Sequence, residues 1–207
     1  MDLLLVRHGQ TDWNPKRKIM GRQPIPLNQK GIEQAQNVRE QLKDTPLTAI
    51  YSSPMVRAME TASIITEGRK NLPIISEEGV AEINYGDWVG TTFDDVEKNY
   101  NAEYNAYRFK ASTMKIPGGE AVIDVQRRGV AAIEKMKEKH QRGRVLVVSH
   151  ADVIKAIIIH YLNTSLDRLQ IVGCDNGSLS IFRFGTEWGD RLVALNYFAD
   201  VQKVLPW

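Results

Sequence analysis

Two short, uninterrupted apolar runs dominate the pattern of hydrophobic and polar positions along the chain. Residues 3–6 read Leu-Leu-Leu-Val, and residues 145–148 read Val-Leu-Val-Val. A continuous apolar run of this length is typical of a strand that is buried on both faces. Arg7 and His8 follow the first run directly, and His150 lies just beyond the second. The pattern therefore predicts two central strands that end in ionisable side chains.

Helical spacing follows the first run and surrounds the second. From Gly31 onward, apolar residues recur three or four positions apart, which predicts a helix with one buried stripe formed by Ile32, Ala35, Val38 and Leu42. The same spacing predicts a long helix over 120–139 and another that begins directly after His150. Ser53 and Pro54 match the N-cap and the first residue of a further helix.

Further short strands complete the pattern. Strands are predicted at 48–51 and 74–75, and the alternation over 179–184 and 192–197 predicts an antiparallel hairpin at a sheet edge. Strands that alternate with helices indicate an α/β fold. We therefore expect one domain over residues 1–207, a three-layer α/β/α sandwich with a mostly parallel central sheet.

Residues 84–118 break the alternation of strands and helices. Their periodicity is weak, and they are rich in aromatic residues, namely Tyr85, Trp88, Tyr100, Tyr104 and Tyr107. We interpret this segment as a small lid insertion that covers a site. The alternative is a peripheral helical excursion without a role in ligand binding.

Composition and charge exclude several classes of protein. The formal net charge is only +2, and no basic stripe interleaved with aromatic residues is present, so no nucleic-acid partner is expected. Cys174 is the single cysteine, so neither an intrachain disulfide nor a thiolate metal cluster can form. The apolar run at the N-terminus is too short for a secretory signal, and none of the apolar stretches is long enough to span a membrane. These features favour a cytoplasmic protein.

The ionisable residues at the strand ends are suited to phosphate chemistry. Ligands of open α/β sheets bind outside the carboxyl ends of the strands, where Arg7, His8 and His150 are expected to meet. Arg57 lies in the first turn of the helix after a third strand and is expected to join them. Arginine binds phosphate through paired hydrogen bonds, and a neutral histidine nitrogen is then a competent nucleophile.

One of these residues is expected to be the nucleophile, and the others are expected to bind the phosphate or transfer protons. His8 is the stronger candidate for the nucleophile because it adjoins Arg7, and His150 is then a donor to the phosphoryl oxygens. A leaving alkoxide also needs a proton, for which Glu82 is the best-placed carboxylate. The repulsion between this carboxylate and a phosphoryl group raises its pKa towards the useful range. The four histidines are too scattered along the sequence to indicate a metal centre.

These motifs also resemble a known family. The segment Leu-Val-Arg-His-Gly-Gln-Thr at residues 5–11, followed by Asn14, is similar to the signature of the histidine phosphatase superfamily, the phosphoglycerate mutase-like proteins. The match continues in order through Leu27-Asn28, Gly31, Ser52-Ser53-Pro54, Arg57, Thr61-Ala62, Glu82, Gly86-Asp87-Trp88, Gly90, Pro117-Gly118-Gly119-Glu120 and Val148-Ser149-His150. The resemblance covers nearly the whole chain.

The resemblance implies a role for each matching residue. It implies that His8 is phosphorylated, that Arg7, Arg57 and His150 form the phosphate pocket, and that Glu82 donates a proton and later activates water. It places four further residues at the substrate, namely Gln10, Thr11, Asn14 and Ala151. The family fold is the same sandwich, and the family uses neither a metal nor a cofactor. Two departures, Ala121 and Ala151, stand where many relatives carry serine and glycine, and they leave the catalytic groups intact.

Three functions are compatible with these residues. A phosphatase acting on a small phosphorylated metabolite is favoured over a phosphoglycerate mutase, since the insertion carries only four basic residues, Lys98, Arg108, Lys110 and Lys115. A non-catalytic phosphoester-binding protein is disfavoured because both His8 and Glu82 are present. Phosphoserine, α-ribazole phosphate and sugar phosphates stay open as substrates. A homodimer, with the aromatic C-terminus as a contact (Tyr197, Phe198 and Trp207), stays open too, as do the roles of Cys174, Asp175 and Asn176.

Overall fold

A computed structural model describes residues 1–198 of the chain, so Trp207 lies outside the described residues. The strands are β1 (Asp2–Arg7), β2 (Ala49–Ser52), β3 (Ile74–Ser76), β4 (Arg144–Ser149), β5 (Leu179–Thr186) and β6 (Gly189–Tyr197). The α-helices are α1 (Gln29–Leu42), α2 (Val56–Thr66), α3 (Phe93–Asn99), α4 (Asn101–Phe109), α5 (Val122–Lys139) and α6 (Ala151–Tyr161). Short 3₁₀ helices lie at Glu78–Val80, Gly86–Trp88 and Leu166–Ile171.

The strands form one six-stranded sheet in the order β3-β2-β4-β1-β5-β6. The first four of these strands are parallel, whereas β5 runs antiparallel to β1 and forms an antiparallel hairpin with β6 at the edge. The predicted α/β fold with a mostly parallel central sheet is therefore confirmed. None of the helices within residues 1–198 combines the length and the apolar character that a membrane crossing requires.

The position of β1 between two helical layers explains why its apolar run has no polar interruption. Leu3 and Leu5 belong to one core cluster, which contains the buried faces of α5 and α6. Leu4 and Val6 belong to a second cluster on the opposite face of the sheet, with residues of α1 and α2. Successive side chains of a strand point to opposite faces, so a central strand between two helical layers needs apolar residues at every position.

Helix α2 begins later than the sequence pattern predicts. Met55 is its N-cap and makes no side-chain cap hydrogen bond, so the prediction that Ser53 caps this helix is wrong. The backbone NH of Ser53 donates to the carbonyl of Val148 at 2.9 Å, which extends the pairing of β2 with β4 by one residue. Because the backbone of Ser53 continues the sheet, the helix starts only at Val56. The hydroxyl of Ser53 is then available to the site described below.

The 84–118 insertion is packed into the larger core cluster. It contains one 3₁₀ helix together with α3 and α4. Trp88 is completely buried, and Tyr104 and Tyr107 are buried beside it. The ring of Tyr107 meets that of Trp88 edge-on, with the centroids 5.8 Å apart. Because these aromatic residues share one buried cluster with the apolar faces of α5 and α6, the insertion packs against that layer.

Candidate functional site

Parallel pairing of β1 with β4 places the two strand-end histidines next to each other. Arg7 is in register with Ser149, and the backbone NH of His8 donates to the carbonyl of Ser149 at 3.0 Å. The imidazole rings of His8 and His150 are both buried, with their centroids 5.1 Å apart. The structure therefore brings together two histidines that are far apart along the chain.

The contacts of His8 select one protonation form of its ring. Nδ1 lies 2.7 Å from the carbonyl of Gly9, which can only accept a hydrogen bond, so Nδ1 carries the proton. Nε2 is then left with a lone pair, and the Nε–H of Arg57 donates to it at 3.3 Å. Asn176 donates to the carbonyl of His8 at 3.0 Å and fixes the loop that carries the ring. The ring is thus held as a neutral base with a defined nucleophilic atom.

Arg57 lies beside His8 and Glu82 with its side chain fully buried. Its guanidinium donates to the carbonyls of Gly21 and Gln23 at 2.8 and 3.2 Å. It also donates to Oε2 of Glu82 at 3.4 Å. Arg57 therefore places a positive charge between the candidate nucleophile, His8, and the candidate acid.

His150 is held between Ser53 and Glu82. Nε2 of His150 lies 2.7 Å from the hydroxyl of Ser53, and Nδ1 lies 3.3 Å from Oε2 of Glu82 without making a hydrogen bond. The Ser53 hydroxyl already accepts a hydrogen bond from the NH of Met55, so its proton is free to point at Nε2. With Ser53 as donor, the proton of the imidazole lies on Nδ1, which faces the candidate acid.

Glu82 has the properties of a proton donor. Its pKa is raised above the ordinary value, chiefly because burial disfavours the charged form and also because Asp152 lies nearby, while Arg57 and the NH of Ile83 oppose the shift. The side chain is 10% exposed and lines the same cavity as His8. A carboxyl group with a raised pKa keeps its proton closer to neutral pH, as acid catalysis requires.

The pKa values of the two buried histidines are shifted in the opposite direction, downward. The pKa of His8 lies well below the ordinary 6.5, mainly because burial disfavours the charged ring and further because Arg57 and Arg7 repel the added charge. The pKa of His150 is lowered well below 6.5 by the same causes and by His8 itself. Both rings therefore remain neutral in the folded protein under conditions in which an exposed histidine is charged.

This shift predicts a loss of stability in acid. Near pH 6.5 the two histidines bind protons in the unfolded chain but not in the folded chain. The free energy of unfolding therefore falls as the pH drops below about 6.5. Replacement His8→Gln should reduce this slope by up to about 1.4 kcal/mol per pH unit. Urea unfolding at pH 7.5, 6.5 and 5.5 measures it. The raised pKa of Glu82 acts in the opposite sense in both proteins, so the comparison isolates the histidine.

The matched control for this experiment is His160→Gln, which removes an exposed histidine from α6. It controls for the loss of an imidazole at a position away from the two buried histidines. Equal slopes for the wild type and His8→Gln would contradict a buried, neutral His8.

A cavity of about 770 Å³ opens at this edge of the sheet. Of the residues that the sequence assigned to the site, five line it, namely Arg7, His8, Asn14, Glu82 and Ala151. Arg57 and His150 lie behind the lining and reach it through His8 and Glu82. The insertion contributes Tyr85, Phe93, Asp94, Glu97, Tyr104, Tyr107 and Arg108, and the later part of the chain contributes Asp152, Lys155, Gln170 and residues 172–175.

Gln10 and Thr11 are not among the residues within 1–198 that line the cavity. Thr11 is fully buried, and its hydroxyl donates to Oδ1 of Asn14 at 3.0 Å. The side-chain oxygen of Gln10 accepts a hydrogen bond from Asn28 at 3.1 Å. In this structure the two residues fix the loop that carries Asn14, whereas Asn14 itself faces the cavity.

Three of these groups could also hold a cation. The ligand atoms of His8, Glu82 and His150 all lie within 4.8 Å of one another, so the expectation that the histidines are too scattered for such a set is wrong for these two. Two histidines and one glutamate form a known set of zinc ligands. However, the guanidinium of Arg57 donates to both His8 and Glu82, so a divalent ion there would lie against a fixed positive charge.

Several contributors were not identifiable from the sequence as parts of the site. Ser53 matched a helix cap, and its partner His150 is 97 residues away along the chain. The sequence left the role of Asn176 open, and in the structure its side-chain amide donates to the backbone carbonyl of His8. Cys174 is buried, and burial raises its pKa to about 11, which leaves it an unreactive thiol. Its carbonyl accepts a hydrogen bond from Arg7 at 2.7 Å.

Comparison with known proteins gives consistent matches over most of the chain. The family model described as "Histidine phosphatase superfamily (branch 1)" matches residues 3–197. Phosphoserine phosphatase 1 of Hydrogenobacter thermophilus is 32% identical over 179 residues, which cover 86% of this chain and 84% of that protein. Phosphoglycerate mutase-like protein 4 of Arabidopsis thaliana is 31% identical over 201 residues, with 91% and 85% covered. The crystal structure of the α-ribazole phosphatase from Shigella flexneri is 27% identical, with a TM-score of 0.84 over 95% of this chain and 96% of that one.

Proposed function

Because the chain belongs to the histidine phosphatase superfamily, we propose that it hydrolyses a small phosphomonoester through a covalent phosphohistidine on His8, without a metal ion. The observation that carries this proposal is the state of His8. Its Nδ1–H is held by the carbonyl of Gly9, and its Nε2 lone pair lies beside Arg57, at the wall of the cavity. A neutral, oriented imidazole beside a guanidinium is the arrangement that attack on a bound phosphoryl group requires.

In the first step, Nε2 of His8 forms a bond to phosphorus while the bond from phosphorus to the ester oxygen breaks. Arg7 and Arg57 bind the phosphoryl oxygens, and the Nε–H of Arg57 moves from Nε2 to one of these oxygens as the ester enters. The carboxyl group of Glu82 gives its proton to the departing alkoxide, which leaves as an alcohol. His150 donates its Nδ1–H to a phosphoryl oxygen, which carries negative charge in the transition state.

In the second step, a water molecule attacks the phosphohistidine. Glu82, now a carboxylate, accepts a proton from that water, and the bond between phosphorus and Nε2 breaks. Inorganic phosphate is released, and His8 and Glu82 return to their starting protonation states. One water is consumed for each ester, and the protein is unchanged.

The covalent intermediate provides the direct test. We expect a brief reaction with a ³²P-labelled phosphomonoester, quenched in alkali, to leave label on the protein that is stable in base and lost in acid. The same turnover is expected with a chelator present. A requirement for added zinc or magnesium would overturn the metal-independent mechanism, and the absence of label with every phosphoester would favour a non-catalytic binding protein.

A mutase is the second candidate, since one relative is named phosphoglycerate mutase-like. Of the four basic residues in the 84–118 insertion, only Arg108 lines the described cavity, and it does so beside two carboxylates, Asp94 and Glu97. The insertion itself therefore adds little positive charge for the second phosphate of a doubly phosphorylated intermediate, which supports hydrolysis, although Arg17 and Lys18 also line the cavity. Transfer of label from the protein to 3-phosphoglycerate, faster than its release as phosphate, would favour the mutase instead.

The relatives suggest, but differ in, the substrate. One is named a phosphoserine phosphatase and another an α-ribazole phosphatase, so both esters are candidates here, together with sugar phosphates. A cavity of about 770 Å³ is large enough for any of them. Values of kcat/KM over a panel of these esters, measured with chelator, would rank them.

A further inference from the structure

A second group of charged residues lines the cavity beyond the catalytic groups. Asp152 and Lys155 lie one turn apart on α6, and both side chains are largely removed from solvent, at 6% and 14% exposure. Both residues line the cavity that also contains His8. The mechanism above uses neither of them directly, so their charges need another explanation.

The two charges are close but not joined. Nζ of Lys155 lies 3.7 Å from Oδ1 of Asp152, and the pair makes no hydrogen bond within the described residues. A buried ion pair is stable only when hydrogen bonds satisfy both partners. The gap between Asp152 and Lys155 thus leaves one carboxylate oxygen and part of one ammonium group available to a ligand.

Each charge is fixed in place by neutral neighbours. The hydroxyl of Tyr85 donates to Oδ2 of Asp152 at 2.6 Å, and that of Tyr107 donates to the same oxygen. Burial raises the pKa of both tyrosines well above 10, so they remain donors. Lys155 donates to the side-chain oxygen of Gln170 at 3.2 Å, which leaves two of its three protons free. Oδ1 of Asp152 therefore stays the open acceptor.

From this geometry we infer that Asp152 and Lys155 form a leaving-group subsite for a phosphomonoester whose leaving group carries both an ammonium and a carboxylate, as a phosphorylated amino acid does. The ammonium binds Oδ1 of Asp152, and the carboxylate binds Lys155. A leaving group with only a carboxylate meets the negative charge of Asp152, and one with only an ammonium leaves Lys155 without a partner. The subsite thus selects by repulsion as well as by attraction.

This inference rests on the proposed function, and three matched esters test it. O-Phosphoserine carries both charges, O-phosphoethanolamine lacks the carboxylate, and 3-phosphoglycerate has a hydroxyl in place of the ammonium. We expect kcat/KM of the wild type for phosphoserine to exceed that for each of the other two by about tenfold or more. This comparison needs no variant, so it stands even if a substitution in the cavity prevents folding.

Two substitutions should then change the selectivity in a crossed pattern. Asp152→Asn should abolish most of the preference for phosphoserine over 3-phosphoglycerate and keep the preference over phosphoethanolamine. Lys155→Gln should do the reverse. A pair with only a structural role would lower all three rates together and leave the ratios unchanged. Asp124→Asn, which removes an exposed carboxylate on α5, is the charge-matched control and should keep both ratios.

The outcomes separate the subsite from the reaction. Equal kcat/KM for the three esters, or ratios that neither variant changes, would overturn the subsite if p-nitrophenyl phosphate is still hydrolysed through labelled His8. If p-nitrophenyl phosphate is not hydrolysed and no label forms, the proposed function fails and the subsite with it. The crossed pattern, with the control unchanged, would establish both residues as determinants of specificity.

Discussion

Substitution of His8 by alanine should lower kcat by at least about 10⁴-fold for every phosphoester, because the proposed covalent intermediate forms on Nε2 of this residue. His150 is the nearest imidazole, but its Nε2 is held by Ser53 and its Nδ1 faces Glu82. The alkali-stable label should disappear together with turnover. Rates on p-nitrophenyl phosphate and on an alkyl phosphate, with the labelling experiment in parallel, measure both effects.

The alanine variant should still fold. The imidazole of His8 packs at the end of β1 and makes one hydrogen bond within its own loop, to the carbonyl of Gly9. Asn176 still donates to the backbone at this point, so the loop retains a partner. His160→Ala, which removes an exposed histidine from α6, is the matched control and should retain wild-type turnover. Wild-type turnover in His8→Ala would refute the mechanism.

Glu82→Gln is expected to separate good from poor leaving groups. An alkoxide needs a proton to depart, so hydrolysis of an alkyl phosphate should slow by about 10²- to 10⁴-fold. p-Nitrophenolate needs little protonation, and its ester should lose much less activity. Glutamine has the same shape and still accepts the hydrogen bond from the NH of Ile83. The two substrates, compared by kcat in one variant, give the measurement.

The pH dependence of alkyl phosphate hydrolysis is an independent test of Glu82 as the acid. The pKa of Glu82 is raised by burial, so the group stays protonated to a higher pH than an exposed glutamate does. As the pH rises through the pKa of Glu82, alkyl phosphate hydrolysis by the wild type should decline. This decline should be absent in Glu82→Gln. Glu97→Gln, an exposed carboxylate at the same cavity, is the control. Equal loss on both esters would reassign the acid.

The sequence was sufficient to predict the sheet and the strand-end histidines for a physical reason. Both apolar runs are continuous because both strands lie between two helical layers, and parallel neighbours end at the same edge. The residues that directly follow two such strands therefore lie close together. The sequence alone was therefore enough to predict that His8 and His150 lie together, although they are 142 positions apart along the chain.

The supporting contacts could not be predicted in this way. Ser53 carries the signal of a helix cap, and only the continued pairing of β2 with β4 turns its hydroxyl to His150. Asp152 follows the second histidine at the start of α6, and its sequence position is typical of a first-turn acid at a helix N-terminus. Its meaning depends on two tyrosines from the 84–118 insertion, whose weak periodicity gave no side-chain directions.

The central position of β1 has a consequence for biosynthesis. Leu3 pairs with Val145 on one side and with Phe182 on the other, so β1 is synthesised long before either of its neighbours in the sheet. Roughly 140 residues must be added first, which takes about 7–30 s at ordinary elongation rates. During that time the Leu-Leu-Leu-Val segment has no sheet to join. Nascent chains stalled before β4 should therefore aggregate or engage chaperones, whereas the completed chain buries that segment on both faces.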